Sequence, residues 1–166
     1  GLIYTTAKNY CKDNDKCELP MAVIVYGANY NELASHITDA QNGAGSNNSY
    51  VSSILHRKSP PNNRNKLMKY VKTHAQHICP SPRKGTGLDC DEYPMNSTIE
   101  GGLANYIAGG VSLRMIDSYQ NQHGGRMLQA MYDADNTSNG DKFLIGGHTN
   151  LPESFYMTRK GKFRLF

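Results

Sequence analysis

Cysteine spacing constrains this chain more than any other feature. Cys11 and Cys17 are near neighbours in sequence, and so are Cys79 and Cys90. The spacing suggests two local loops, Cys11 with Cys17 and Cys79 with Cys90, although four cysteines allow three connectivities. No pair has the two-residue gap of a zinc knuckle, so the cysteines read as staples rather than metal ligands. Stapled chains belong to oxidising compartments. A secreted protein is therefore expected, and sequons at Asn47, Asn96 and Asn136 are compatible with that route. The chain opens Gly1-Leu2-Ile3-Tyr4, without a basic segment ahead of an apolar one. No signal peptide is visible, and the start without Met suggests a processed product.

A length of 166 residues suits one domain, 1–166, able to bury most of its apolar surface. No apolar run approaches the roughly 20 residues that span a bilayer, so no membrane partner is expected. Met21–Tyr26 reads as a buried strand, and Asn31–Ala40 as a short helix with Leu33, Ile37 and Ala40 on one face. Residues 41–48, rich in Gly, Asn and Ser, read as a loop. Asn63–Ile78 fits a helix with Leu67, Val71, Ala75 and Ile78 toward the core and Lys66, Lys69 and Lys72 roughly opposite. Cys79–Gly87 is an irregular connection. Val111–Ile116 reads as a strand, Gly124-Gly125 as the opening of a helix, and Lys142–Ile145 as a short strand. Phe155–Phe166 reads as a hairpin turning at Lys160-Gly161, part of a C-terminal extension over 147–166. Strands and helices alternate irregularly, which predicts an α+β domain.

The net charge is +4, and its distribution says more. Between Asp39 and Asp89 there is no acidic residue, while Arg57, Lys58, Arg64, Lys66, Lys69, Lys72, Arg83 and Lys84 fall in that window. A single-sign block of this length is a footprint expected for a polyanion partner. A solvated face that lacks acids is the plainer reading of the same residues.

Acids return abruptly after the basic block. Asp89, Asp91, Glu92 and Glu100 lie within twelve residues. Clustered carboxylates repel unless a cation or proton intervenes, and oxygen ligands suit Mg²⁺ or Mn²⁺. On a strand, Asp91 and Glu92 would point to opposite faces, and a bend at Tyr93-Pro94 would be one way to bring both to one site. An acidic turn after a disulfide is the other reading.

The run Cys90-Asp91-Glu92-Tyr93-Pro94-Met95-Asn96-Ser97-Thr98-Ile99-Glu100-Gly101-Gly102 resembles the signature of the NucA/NucB family of secreted deoxyribonucleases, in its actinobacterial and fungal branch. The preceding Cys79-Pro80 loop, the segment Gln120–Gly125 and the Ser35–Ala40 segment agree with it. The resemblance spans roughly residues 20–146. It departs at Asn96, where a small Ala is common, and at His123, where Gln is expected before Gly-Gly.

The resemblance implies a small ββα-metal nuclease core and metal-dependent hydrolysis of DNA with little sequence specificity. Mg²⁺ is the expected ion, with Mn²⁺ as the alternative. It also implies site residues. Asp91 and Glu92 form the central acidic pair, with Glu92 as general base, Asp91 orienting it, and His123 as a fallback proton acceptor. Glu100 is an expected metal ligand, together with an amide from Gln120, Asn121 or Gln122. Read from the residues themselves, Arg114 and Arg126 are candidates to bind phosphate, and Lys66, Lys69 and Lys72 on the outer side of their helix are candidates to hold the DNA backbone; either arginine also reads as an ordinary surface or paired residue, and the lysines as the exposed face of any soluble helix. His36 reads as a phosphate contact or proton relay on one view and as a helix-packing histidine on the other. DNA is the expected partner of a monomeric enzyme, and an inhibitor or immunity protein is a second. Two other functions fit the same residues. A small glycoside hydrolase would use Glu92 and Glu100 as acid and base, although the chain has no Trp to stack on sugars. A disulfide-stapled binding module or toxin would need no metal.

Overall fold

The computed structural model describes Thr5, Asn9 and residues 18–166. Cys11 and Cys17, expected to pair, lie outside the described residues. Strand β1 (Ala22–Tyr26) alternates buried and half-buried residues and takes the centre of a five-stranded sheet. Its neighbours are β5 (Lys142–Gly147), parallel, and β6 (Phe155–Met157), antiparallel. β2 (Ile54–His56) closes one edge on β5, and β7 (Phe163–Leu165) closes the other on β6. The expected C-terminal hairpin is thus present, with Thr158 and Gly161 closing its turn.

A second, two-stranded sheet carries the acids. β3 (Leu88–Tyr93) pairs antiparallel with β4 (Ser112–Asp117), so that Asp91 lies across from Arg114 and Glu92 from Leu113. Between these strands the chain forms the short helix α3 (Leu103–Ile107). Helix α1 (Asn31–Gln41) buries Leu33, Ala34, Ile37 and Ala40 in one stripe, and α2 (Arg64–His74) buries Leu67 and Val71. Asn63 caps α2, its side chain accepting from the Lys66 amide. α2 stops at His74, short of the expected Ile78.

Helix α4 (Ser118–Asp135) begins earlier than expected. Gly124-Gly125 lies in its interior rather than at its start. The reason is a cap upstream: the Asp117 carboxylate accepts from the Gln120 amide and supplies a hydrogen-bond partner that a free helix start lacks. Gly124 is then a packing residue. A Cβ there would sit 2.4 Å from Leu33 Cδ2, so glycine lets α4 close on α1. The Tyr26 hydroxyl donates to the Gly124 carbonyl at 2.6 Å across that contact.

The larger core lies between the main sheet, α1 and α4, around Ile24, Ile37, Met131, Tyr132, Phe143 and Ile145. A smaller core seats α2 on the β3–β4 sheet through Leu67, Val71, Val111 and Leu113, with Cys79 and Cys90 joined inside it. The domain is α+β and carries a Cys79–Cys90 disulfide at the start of the acidic run. Among the described residues no helix is long and apolar enough to cross a membrane.

Candidate active site

β3 runs between two partners, and its period-two alternation divides its side chains between them. Asp89, Asp91 and Tyr93 point to the α1 and α4 side; Cys90 and Glu92 point toward α2. At the end of the strand a cavity of about 350 Å³ opens across both sides, so Asp91 and Glu92 each form part of its wall. The two acids share one site while the alternation is kept.

Asp91 is buried, 6% exposed, and is held by a residue from α1. His36 Nδ1–H donates to Asp91 Oδ2 at 2.6 Å, and His36 itself is fully buried. On the other side of the ring, Nε2 lies 2.9 Å from Ser112 Oγ. Ser112 Oγ already accepts from the Ser46 amide, so its O–H is available for Nε2. The ring is thereby locked by two partners and Asp91 is fixed in orientation. His36 is both packed and tied to the acidic pair.

Glu92 accepts from Asn96 Nδ2 at 3.0 Å. Arg64 Nε, at the first turn of α2, lies 3.8 Å from its carboxylate. Burial pushes Glu92 up to about 7, the neighbouring Asp91 charge adds to the rise, and Arg64 opposes it. Asn96 is 8% exposed, and its Oδ1 is buried without a hydrogen-bond partner in the same cavity.

The amide segment of α4 divides its work. Asn121 lines the cavity, and its Nδ2 donates to Asp89 at 3.1 Å. Gln122 and Ser118 donate to Asp89 as well. Burial pushes that carboxyl up, but the three hydrogen bonds together with the Arg64 charge outweigh it and hold Asp89 below its ordinary value. Gln120 is used elsewhere: its Oε1 accepts from the Glu32 and Leu33 amides and satisfies the start of α1. His123 lies outside the cavity wall, stacked between Tyr30 and Tyr119, with Nδ1 on the Tyr30 hydroxyl.

Other expected site residues stand apart. Glu100 accepts from the His56 amide and from its Nδ1, and does not line the cavity. Arg114 pairs with Asp39 at 2.8 Å on a partly exposed surface. Arg126 is exposed on α4, and Lys66, Lys69 and Lys72 are exposed on α2. Of the sequon asparagines, Asn136 is exposed, whereas Asn96 is buried and Asn47 is partly so. Sequence reasoning passed over Arg64 and Ser112 as site residues. Arg64 was one of many cations in the basic block, and Ser112 gains its role through contacts 66 and 76 residues away in sequence.

Among the described residues no three His, Cys, Asp or Glu side chains gather as a metal group, so any cation here would draw on amide oxygens too. The donors present fit a hard ion. Asp91 and Glu92 offer carboxylate oxygens, Asn121 an amide oxygen beside them, and Asn96 a buried oxygen lacking a partner. No curated protein matches the chain. The family model of deoxyribonuclease NucA/NucB matches residues 36–146, a span that takes in His36, the acidic strand and the amide segment of α4, and the chain belongs to that family.

Proposed function

We propose that this chain is a secreted endonuclease that hydrolyses DNA phosphodiester bonds with a divalent cation, Mg²⁺ or Mn²⁺, and with little sequence specificity. The observation that carries this reading is the cavity at the end of β3, where a proton-accepting carboxylate, an unpartnered amide oxygen and an arginine meet. Glu92, pushed up to about 7, has a proton affinity suited to take a proton from an attacking water near neutral pH. Asp91, held by His36, fixes the wall beside it. Arg64, half-exposed at the mouth, would meet a phosphate through its planar fork of donors.

Asp91, Asn96 and Asn121 are the residues we propose to hold the cation. When bound, such an ion stabilises negative charge on the phosphate and on the leaving oxygen. Glu100 is engaged by His56 outside the cavity wall, so it is not part of this proposed set. Backbone phosphates carry affinity without sequence information, and the exposed lysines of α2 support that mode. The Cys79–Cys90 bond supports an oxidising, extracellular setting. Plasmid digestion with and without EDTA, followed by Mg²⁺ or Mn²⁺ add-back, tests the reading. Cleavage is expected only with metal, and undiminished cleavage in excess EDTA would overturn it.

A further inference from the structure

A second hollow, of about 260 Å³, lies beyond the far end of α2 from the cavity. Its walls are Tyr70 and His74 of α2, Tyr106 and Ile107 of α3, and Asn47 of the loop after α1. The His74 ring stacks on Tyr70 with centroids 4.0 Å apart, and Tyr106 meets Tyr70 edge-on at 6.1 Å. These packed rings place aromatic surface in the wall of the hollow. Asn47 Nδ2 donates to the Gly109 carbonyl, while its Oδ1 is buried without a partner. The hollow thus offers aromatic stacking surface beside an anchored Asn47.

Charge and register indicate what brings such a ring. Lys66, Tyr70 and His74 follow one another at four-residue spacing, so they share one flank of α2. Lys69 and Lys72 stand on its outer side. The same helix carries Arg64 to the cavity at its other end. From Arg64 to Tyr70 and His74 is about 9–15 Å of helix axis at 1.5 Å per residue. That distance matches a few nucleotides of a strand whose phosphates track the lysines.

We propose that this hollow is a subsite for an unpaired nucleobase of the DNA strand being cut, seated a few nucleotides from the cavity. The proposal rests on the nuclease reading above. The base stacks on the ring surface of His74 and Tyr106. In a duplex the faces of each base are covered by its neighbours in the stack, so the subsite selects single-stranded or locally melted DNA. Base stacking on aromatic side chains tolerates any sequence, which agrees with low sequence specificity.

Binding is tested on Glu92→Gln protein, which leaves the strand uncut. Fluorescence anisotropy compares a labelled 12-nucleotide single strand with an abasic strand of equal length. Adding His74→Ala, and separately Tyr106→Leu, is expected to weaken binding of the base-bearing strand by about tenfold for a stacking contact. Binding of the abasic strand should not change. His74 is exposed, so its substitution leaves the fold intact. An equal loss on both strands, or no loss on either, overturns the subsite. Plasmid digestion is read separately: cleavage without a base-dependent loss disproves the subsite alone, and base-dependent binding without cleavage disproves the nuclease reading alone.

Discussion

His36 and Asp91 are joined by a 2.6 Å hydrogen bond inside the fold, 55 residues apart in sequence. The bond ties α1 to the acidic strand. Truncating His36 to Ala leaves both Asp91 and Ser112 short of a buried partner. Such a loss typically costs about 1–3 kcal/mol. Urea unfolding of His36→Ala should show it, and DNA cleavage should fall because Asp91 is released. A variant with native stability would show that solvent replaces the imidazole.

Glu92→Gln separates chemistry from stability. Losing a positioned base typically lowers rate by about 10²–10⁴, measured as kcat on DNA at saturating metal. The effect on stability has the opposite sign. Burial raises the folded-state value to about 7 from 4.5, so the folded protein holds this proton more tightly than the unfolded chain does. That contribution is full below the unfolded value of 4.5 and is lost as pH rises through about 7. At pH 8 in EDTA the Gln variant should therefore melt higher, by about 2–4 °C for each kcal/mol recovered. At pH 4 the gain should vanish. A lower Tm at pH 8 would mean the carboxylate is welcome where it sits.

Adjacent glycines of α4 should respond in opposite directions. Gly124→Ala drives a Cβ to within 2.4 Å of Leu33 Cδ2. Overpacking of this kind typically costs about 1–3 kcal/mol. A Cβ at Gly125 meets nothing within 4 Å, so Gly125→Ala should gain up to about 1 kcal/mol from helix propensity. Because Gly125 lines the cavity, that stabler variant should bind DNA less well. Thermal melts and a DNA titration of both variants test the pair.

The lysines of α2 should act on affinity alone. Replacing Lys66, Lys69 and Lys72 with Ala should weaken DNA binding and flatten its dependence on salt, because fewer counterions are released. kcat at saturation should change little, since such contacts are equal in ground and transition states. An unchanged salt slope would place the polyanion surface elsewhere.

Local pattern was enough to read several elements. The apolar run Met21–Tyr26 became β1, and the spacing of Leu33, Ile37 and Ala40 became the buried face of α1. Hydrophobic periodicity reports which side of an element is buried, and that is a property of neighbouring residues. The clustering of acids and the motif around them also marked Asp91 and Glu92, which share one cavity. Periodicity failed at Gly124-Gly125. Glycine is a poor helix former, and the need for it comes from Leu33, 91 residues earlier.

What each polar side chain does was decided only in three dimensions. Gln120, Asn121 and Gln122 are consecutive amides, indistinguishable by composition. In the fold Gln120 satisfies the start of α1, Gln122 supports Asp89, and Asn121 reaches the cavity. Likewise Glu100 follows Glu92 by eight residues yet is turned to His56. Sequence determined the buried stripes and the inventory of reactive groups. Tertiary packing decided which groups meet, because hydrogen bonds and charge interactions act over a few ångströms of space and the chain brings together residues far apart along it.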